Sequence, residues 1–303
     1  LTEKEVDDNL GSKTLGATLT RQTTFFDYIE VLKPRETSLL TLIGVGSGII
    51  TAKGWLSFDI FTLLFIAIAL GSAGCSGLTN YLDREVDARM KRTHNRALPS
   101  RRLNPPEKVL PLIIGLLITA LALAWFLNPV CFVFGLIGIM ASSLWRKTVS
   151  CNFLGIIAGC IPVLIGWFAV NPVFCQEIWL LCLLVSIWIP VHVWSVMMAN
   201  REDYINAGLS YFPLSLKVRN VVKVLFILSL CLYFISILLY LVGKPGLLYL
   251  LTANILGLLM VYANARLLFS PTAKAAWQVY KFSAFPYLGL IFIALSLDIL
   301  LSI

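Results

Sequence analysis

Apolar runs about as long as a bilayer is thick recur along the chain from residue 38 onward. A membrane helix needs about 20 apolar residues, because the hydrocarbon core is about 30 Å thick and a helix rises 1.5 Å per residue. Backbone groups cannot stay unpaired in lipid, so the choices are helices or a closed barrel. A barrel would show short alternating segments, whereas these runs are continuous. They predict an all-α polytopic membrane protein. Nine spans are expected, at about residues 38–52, 60–79, 109–127, 130–144, 153–170, 178–198, 221–242, 247–267 and 284–303. The first is short as drawn and is expected to begin near Tyr28, with Pro34 in its first turns. Composition agrees: 58% of residues are hydrophobic and 13% charged, against about half and a quarter in soluble domains. Residues 1–27 read as a polar tail, without the apolar core of a secretory signal, ahead of a single membrane domain over 28–303.

Charge tests this topology. With the N-terminus on one side and the spans alternating, all but two of the 24 Lys and Arg residues fall on that side. The exceptions are Lys53 and Lys244. The positive-inside rule makes that side cytoplasmic, including the N-terminus and the loops at 80–108 and 199–217. In a prokaryote the membrane would be the cell membrane. The same asymmetry accounts for the net charge of +8, so no nucleic-acid partner is implied. A basic face suits membrane lipid head groups or an anionic substrate.

Those two loops carry the unusual chemistry. Asn80, Asp83 and Asp87 stand at positions i, i+3 and i+7, which share one narrow stripe of a helix, while Glu85 falls on another face. Three oxygen donors on one stripe suit a hard cation such as Mg2+, which takes carboxylates, keeps waters and bridges to phosphates. The bland alternative is a solvated helix end. Against it, Arg89, Lys91, Arg92 and Arg96 flank the acids, and carboxylates for a metal beside cations for phosphate make a diphosphate-site pattern. In the second loop Asn200, Asp203 and Tyr204 again lie three to four apart. Alone they read equally well as a helix cap. Paired with the first loop, they give two oxygen-rich ends facing one pocket, in which two Mg2+ ions would clamp one diphosphate.

At these residues the chain resembles the UbiA superfamily of intramembrane prenyltransferases, with Asn80-Tyr-Leu-Asp83-Arg-Glu-Val-Asp87 after the second span and a second acidic motif after the sixth. Further stretches resemble the branch that farnesylates haem. They are Lys33-Pro34-Arg35, the run from Asp83 through Arg96 to Pro99, and Arg146-Lys147-Thr148 with Asn152, Gly155, Gly159 and Pro162. Trp188-Ile-Pro190-Val-His192-Val-Trp194, Asp203-Tyr204 with Ala207-Gly208, and Ser283 with Tyr287-Leu288 follow the same pattern. The likeness runs from about residue 30 to the end. Ala97 and Val191 replace prolines of that pattern, and Leu209 to Pro213 depart from it. These departures bear on the acceptor more than on prenyl transfer.

The resemblance implies nine helices around a central cavity. It implies Mg2+ on Asn80, Asp83, Asp87 and Asp203, with Lys33, Arg96, Arg146, Lys147 and Tyr204 around the substrate. Its substrates would be farnesyl diphosphate and haem B, its product haem O, and its partners proteins that assemble haem oxidases. His192, inside the sixth span between Trp188 and Trp194, is a functional candidate because ionisable groups are rare in lipid; the resemblance points it at the porphyrin, and a hydrogen-bonded structural role is the alternative. Trp167, Phe168 and Trp188 are candidates to line a prenyl channel, with core packing as the alternative. Pro162 and Pro190 are expected to kink spans five and six. The seven cysteines form no CxxC pair and read as packing residues. Other readings are a prenyltransferase with an aromatic acid or glyceryl phosphate lipid as acceptor, a transporter, or a haem- or lipid-holding assembly factor. Acids clustered at one face rather than the midplane argue against the transporter, and a metal clamp argues against mere holding.

Overall fold

A computed structural model describes residues 23–144 and 151–301. Among the described residues the chain is helical, with no strand. Helix α1 is Phe25–Val31, α2 Pro34–Ala52, α3 Phe58–Ala88, α4 Leu110–Leu127 and α5 Pro129–Leu144. Then come α6 Cys151–Phe168, α7 Gln176–Ala199, the short α8 Arg201–Asn206, α9 Val218–Gly243 and α10 Leu247–Phe269. The chain ends in α11 Ala273–Phe282, a π-helical turn Ser283–Gly289 and α12 Leu290–Leu301. Among the described residues six helices are long and apolar enough to cross a membrane: Phe58–Ala88, Pro106–Leu127, Gln176–Ala199, Val218–Gly243, Leu247–Phe269 and Ala273–Leu301. Pro129–Leu144 and Phe153–Phe168 are apolar but shorter. The protein is thus a multi-pass membrane protein.

Two expected boundaries are corrected. The first span does not begin near Tyr28. Lys33 sits at φ 49° and ψ 66° and ends one helix before Pro34 starts the next, because a proline ring crowds the α-region of its predecessor. The stretch from Phe25 is therefore a separate helix, and it already includes the last residues of the expected tail. At the other end, the predicted span at 284–303 begins earlier, at Ala273, and is broken. Pro286 lies in the π-helical turn, and Ala284 leaves helical geometry at ψ −125°. Pro162 and Pro190 lie inside α6 and α7, and both helices run on through them.

Neighbouring helices pack in sequence: α2 on α3, α3 on α4, α4 on α5, α5 on α6, α6 on α7, α7 on α9, α9 on α10 and α10 on α12. Helix α12 then packs on α2 and closes the ring, while α2 also packs on α6. That last contact is backbone against backbone. Ser47 Oγ donates to Val163 O at 2.9 Å, and a Cβ on Gly166 would stand 1.9 Å from Gly44 O. Such approaches between membrane helices need small residues, which explains why α2 is rich in Gly and Ser. Large apolar side chains such as Ile118, Phe126, Met140, Phe234 and Ile255 stay exposed on the outer helices. A bilayer makes that arrangement stable, since it solvates apolar surface.

Candidate active site

Helix α3 outlasts its apolar stretch and carries Asn80, Asp83 and Asp87 on its final turns. All three are buried, whereas the side chain of Glu85 is 84% exposed, as helical spacing requires. Asn80 Nδ2 donates to Val31 O at 2.7 Å. A carbonyl only accepts, so the amide nitrogen is fixed toward α1 and Oδ1 is the donor atom left for a ligand. After α3 the chain folds back on itself. Thr93 Oγ1 donates to Asp87 O at 2.9 Å, and Arg96 Nη1 lies 3.4 Å from Asp87 Oδ2.

The second acidic segment meets the first. Asp203 Oδ1 accepts the backbone N–H of Lys91 at 2.7 Å, and Oδ2 accepts that of Arg92 at 3.1 Å. Arg92 Nη2 donates to Tyr204 Oη at 3.2 Å. Burial raises the Tyr204 phenol above its ordinary value, and the charge of Arg92 offsets this in part. Helix α8 ends at Asn206 with Ala207 as its C-cap, and the next residue, Gly208, takes φ +86°, a conformation that suits glycine just past a helix C-terminus.

A cavity of about 340 Å3 opens from these segments into the bundle. Lys33, Asn80, Asp83, Asp87, Arg96 and Tyr204 line it, as does His192. Helix α2 lines it only over its first turns, as far as Leu40; beyond that α2 is locked onto α6. Of the other expected residues, Asp203 contacts the loop and does not line the cavity, and Arg146 and Lys147 lie outside the described residues. His94 is exposed in its loop, with Nδ1 2.7 Å from Lys91 O. Trp188 lines the cavity; Trp167 and Phe168 do not. The Trp167 indole donates to Val173 O instead, and Phe168 packs between Phe134 and Phe174.

Glu36, Tyr211 and Tyr280 are among the lining residues that sequence reasoning left out. Glu36 pairs with Lys33 at 3.4 Å. Arg92, one of the flanking cations expected to hold phosphate, also lines the cavity. Tyr211 and Tyr280 also line the cavity, and Tyr280 packs on His192 from 88 residues away, which no local pattern signals. Among the described residues no three His, Cys, Asp or Glu side chains converge as a ready-made metal cage. Mg2+ does not need one. It is held by one or two carboxylates, waters and substrate phosphate oxygens, and two buried aspartates with an oriented carboxamide oxygen fit that need. Lys33, Arg92 and Arg96 supply positive charge along the same cavity.

Residues 39–289 match the UbiA prenyltransferase family. A Desulforudis audaxviator relative named protoheme IX farnesyltransferase is 32% identical over 283 residues, 90% of this chain and 88% of that protein. A Thermus thermophilus relative of the same name is 32% identical over 286 residues, 91% of this chain but only 46% of that protein, so the chain spans about half its length. Among solved structures, one from work on digeranylgeranylglyceryl phosphate synthase superposes with a TM-score of 0.73 at 19% identity, covering 90% of this chain and 97% of that one. A UbiA homologue from Archaeoglobus fulgidus bound to GPP and Mg2+ superposes with a TM-score of 0.65 at 14% identity, covering 91% and 100%. With a family match over most of its length and a relative of this similarity, the chain belongs to the UbiA prenyltransferase family.

Proposed function

We propose that this protein transfers a farnesyl group from farnesyl diphosphate to a vinyl group of haem B, giving haem O. The observation that carries the reading is one cavity with two chemistries. Asp83, Asp87, Lys33, Arg92 and Arg96 line it around the end of α3 and the segments beside it, and Trp188, His192 and Tyr280 line it along α7 and α11. The names of the full-length relatives support the acceptor and the prenyl chain, and the ligands of the Archaeoglobus homologue support a prenyl diphosphate with Mg2+.

In this reading Asn80, Asp83 and Asp87 hold Mg2+. When bound, the metal neutralises charge on the leaving diphosphate. Lys33, Arg92 and Arg96 hold the diphosphate oxygens, with Arg146 and Lys147 assigned to the same task from sequence. Asp203 fixes the loop that carries Arg92. Cleavage of the allylic C–O bond gives a delocalised cation. The vinyl terminal carbon bonds to it, a water oxygen adds to the inner vinyl carbon, and one proton is released. The helices around the cavity keep other water away from the cation.

The same reading includes nine membrane crossings: α2 to α7, α9, α10, and α11 with α12 as one broken crossing. The loops after α3 and α7 then lie on the cytoplasmic side of the cell membrane, as the lysine and arginine distribution requires. The test is purified protein given haem B, farnesyl diphosphate and Mg2+, with products read by mass spectrometry. Haem O is expected, and none without Mg2+. Prenylation of an aromatic acid or a glyceryl phosphate lipid with haem left unchanged would replace the acceptor. No transfer to any of these would overturn the reading.

A further inference from the structure

His192 and Ser283 meet across 91 residues, with the imidazole Nδ1 2.8 Å from Ser283 Oγ. The direction of that bond follows from the serine's other contact. Ser283 Oγ lies 2.8 Å from Tyr280 O, and a carbonyl oxygen can only accept. A serine hydroxyl has one proton. We assign that proton to Tyr280 O, which can only accept, and this leaves the proton of the His192 contact on Nδ1. In the neutral ring Nε2 then carries the lone pair.

The surroundings settle where that lone pair is presented. Trp188 stacks on the imidazole at 4.8 Å between centroids and 16° between planes, and Tyr280 packs on it at 4.6 Å and 31°. The ring faces are covered and Nδ1 is engaged, yet His192 is only half-buried and lines the cavity. The edge left to meet the cavity is the one with Nε2. Ser283 is itself held. It is fully buried, it begins the π-helical turn, and its carbonyl accepts the Trp188 indole N–H.

We propose that Ser283 is a positioning residue, which fixes His192 as the Nδ1–H tautomer so that Nε2 offers a lone pair to the iron of a metalloporphyrin in the cavity. Histidines that ligate metals are held in just this way, through a hydrogen bond donated by the other ring nitrogen. The iron-ligand half of the proposal rests on haem as acceptor; the tautomer half does not.

The test separates the two. The chain has two histidines, His94 and His192, so protein grown with 15N-histidine gives two sets of ring signals, and His94→Gln assigns them. At a pH where imidazole is neutral, His192 should show a protonated-type Nδ1 and an unprotonated-type Nε2. The reverse pattern overturns the assignment. Ser283→Ala should lose the preference and weaken haem B binding about tenfold, with a changed haem absorbance spectrum. Ser283→Thr, which keeps the hydroxyl, should restore both. Affinity for a non-hydrolysable farnesyl diphosphate analogue should be unchanged throughout, which also reports an intact fold. Equal haem affinity and spectrum in parent and Ser283→Ala would overturn the positioning role. A parent that binds no haem at all would overturn the acceptor reading and the iron ligand with it, while the nitrogen signals would still decide the tautomer.

Discussion

Asp203 accepts the backbone N–H of Lys91 at 2.7 Å, joining residues 112 positions apart. With the second bond to the amide of Arg92, one carboxylate ties the start of α8 to the turn that follows α3. Charge-assisted bonds of this kind contribute about 1.5–3 kcal/mol each where buried, and less here because the Lys91 side is exposed. The latch acts on position as much as on stability, since the amide it grips belongs to the arginine that lines the cavity.

Asp203→Ala should therefore free the 91–92 amides. Hydrogen exchange at those two positions should speed up, and prenyl transfer should fall by about tenfold or more. Glu202→Ala, at the exposed neighbouring position, should change neither. Unaltered exchange at Lys91 and Arg92 in the Asp203 variant would mean that the loop keeps its shape without the latch.

The stripe on α3 makes a sharper contrast. Asp83→Ala and Asp87→Ala should each lower turnover by about 100-fold or more, the scale of removing one preorganised electrostatic group. Glu85→Ala, two residues from either, should be near normal because its side chain points to solvent. Steady-state assays across a Mg2+ series would check this. Near-normal rates for both aspartate variants at limiting Mg2+ would remove the metal assignment.

Packing between α2 and α6 gives a stability prediction. A Cβ on Gly166 would overlap the carbonyl of Gly44, whereas one on Gly115 meets nothing within 4 Å. Gly166→Ala should destabilise by at least the upper part of the range of about 1–3 kcal/mol for overpacking, because backbone cannot rotate away as a side chain does. Gly115→Ala should be neutral or slightly stabilising, since alanine is the better helix former. Thermal melts in detergent would read both, and equal melting temperatures would show that α2 and α6 separate at little cost.

These comparisons also mark what a sequence can carry. The stripe of Asn80, Asp83 and Asp87 was legible because spacing of three and four fixes direction on a helix, whatever surrounds it. The acidic second loop was legible as chemistry but not as geometry. That Asp203 grips two amides depends on the fold bringing together segments over a hundred residues apart. The same holds for His192: the residue stood out in its apolar span, but Ser283 and Tyr280, which orient it, come from the far end of the chain. Local rules also misjudged both ends. Pro34 suits a first turn, as expected, but it also breaks the helix before it. The stretch 273–282 falls between two expected spans, although its buried residues Ala275, Ala276 and Val279 recur at helical spacing.

Topology offers a direct check. Single cysteines at Ser100 and Ser210, both exposed, should react with an impermeant maleimide from one side of sealed vesicles, and a cysteine at Lys53 from the other. The unsubstituted protein serves as the blank for its native thiols. The first two must agree, because the Asp203 bonds place their loops at one end of the bundle. Labelling of all three from one side would remove α3, which separates Lys53 from Ser100, as a membrane crossing.

The contact between Arg92 and Tyr204 separates a charge from a hydroxyl at the cavity. The guanidinium donates to the phenol at 3.2 Å, and both side chains line the cavity. Arg92→Ala removes a cation from the proposed diphosphate site and should weaken binding of a farnesyl diphosphate analogue by about tenfold or more, as loss of a charged hydrogen bond does. Tyr204→Phe removes one neutral acceptor and should cost no more than about 0.5–1.5 kcal/mol, with most substrate affinity retained. The two also differ in pH response. Because the folded phenol titrates above its ordinary value, its contribution to stability is complete below the unfolded tyrosine value of about 10 and is lost as pH rises through the higher folded value. The parent should therefore lose stability on alkaline titration more steeply than Tyr204→Phe, and the two should be parallel below pH about 9. Calorimetric binding at neutral pH and melting curves across the alkaline range would measure both effects. Substrate affinity that falls equally in the two variants would place the tyrosine hydroxyl, rather than the arginine charge, against the diphosphate.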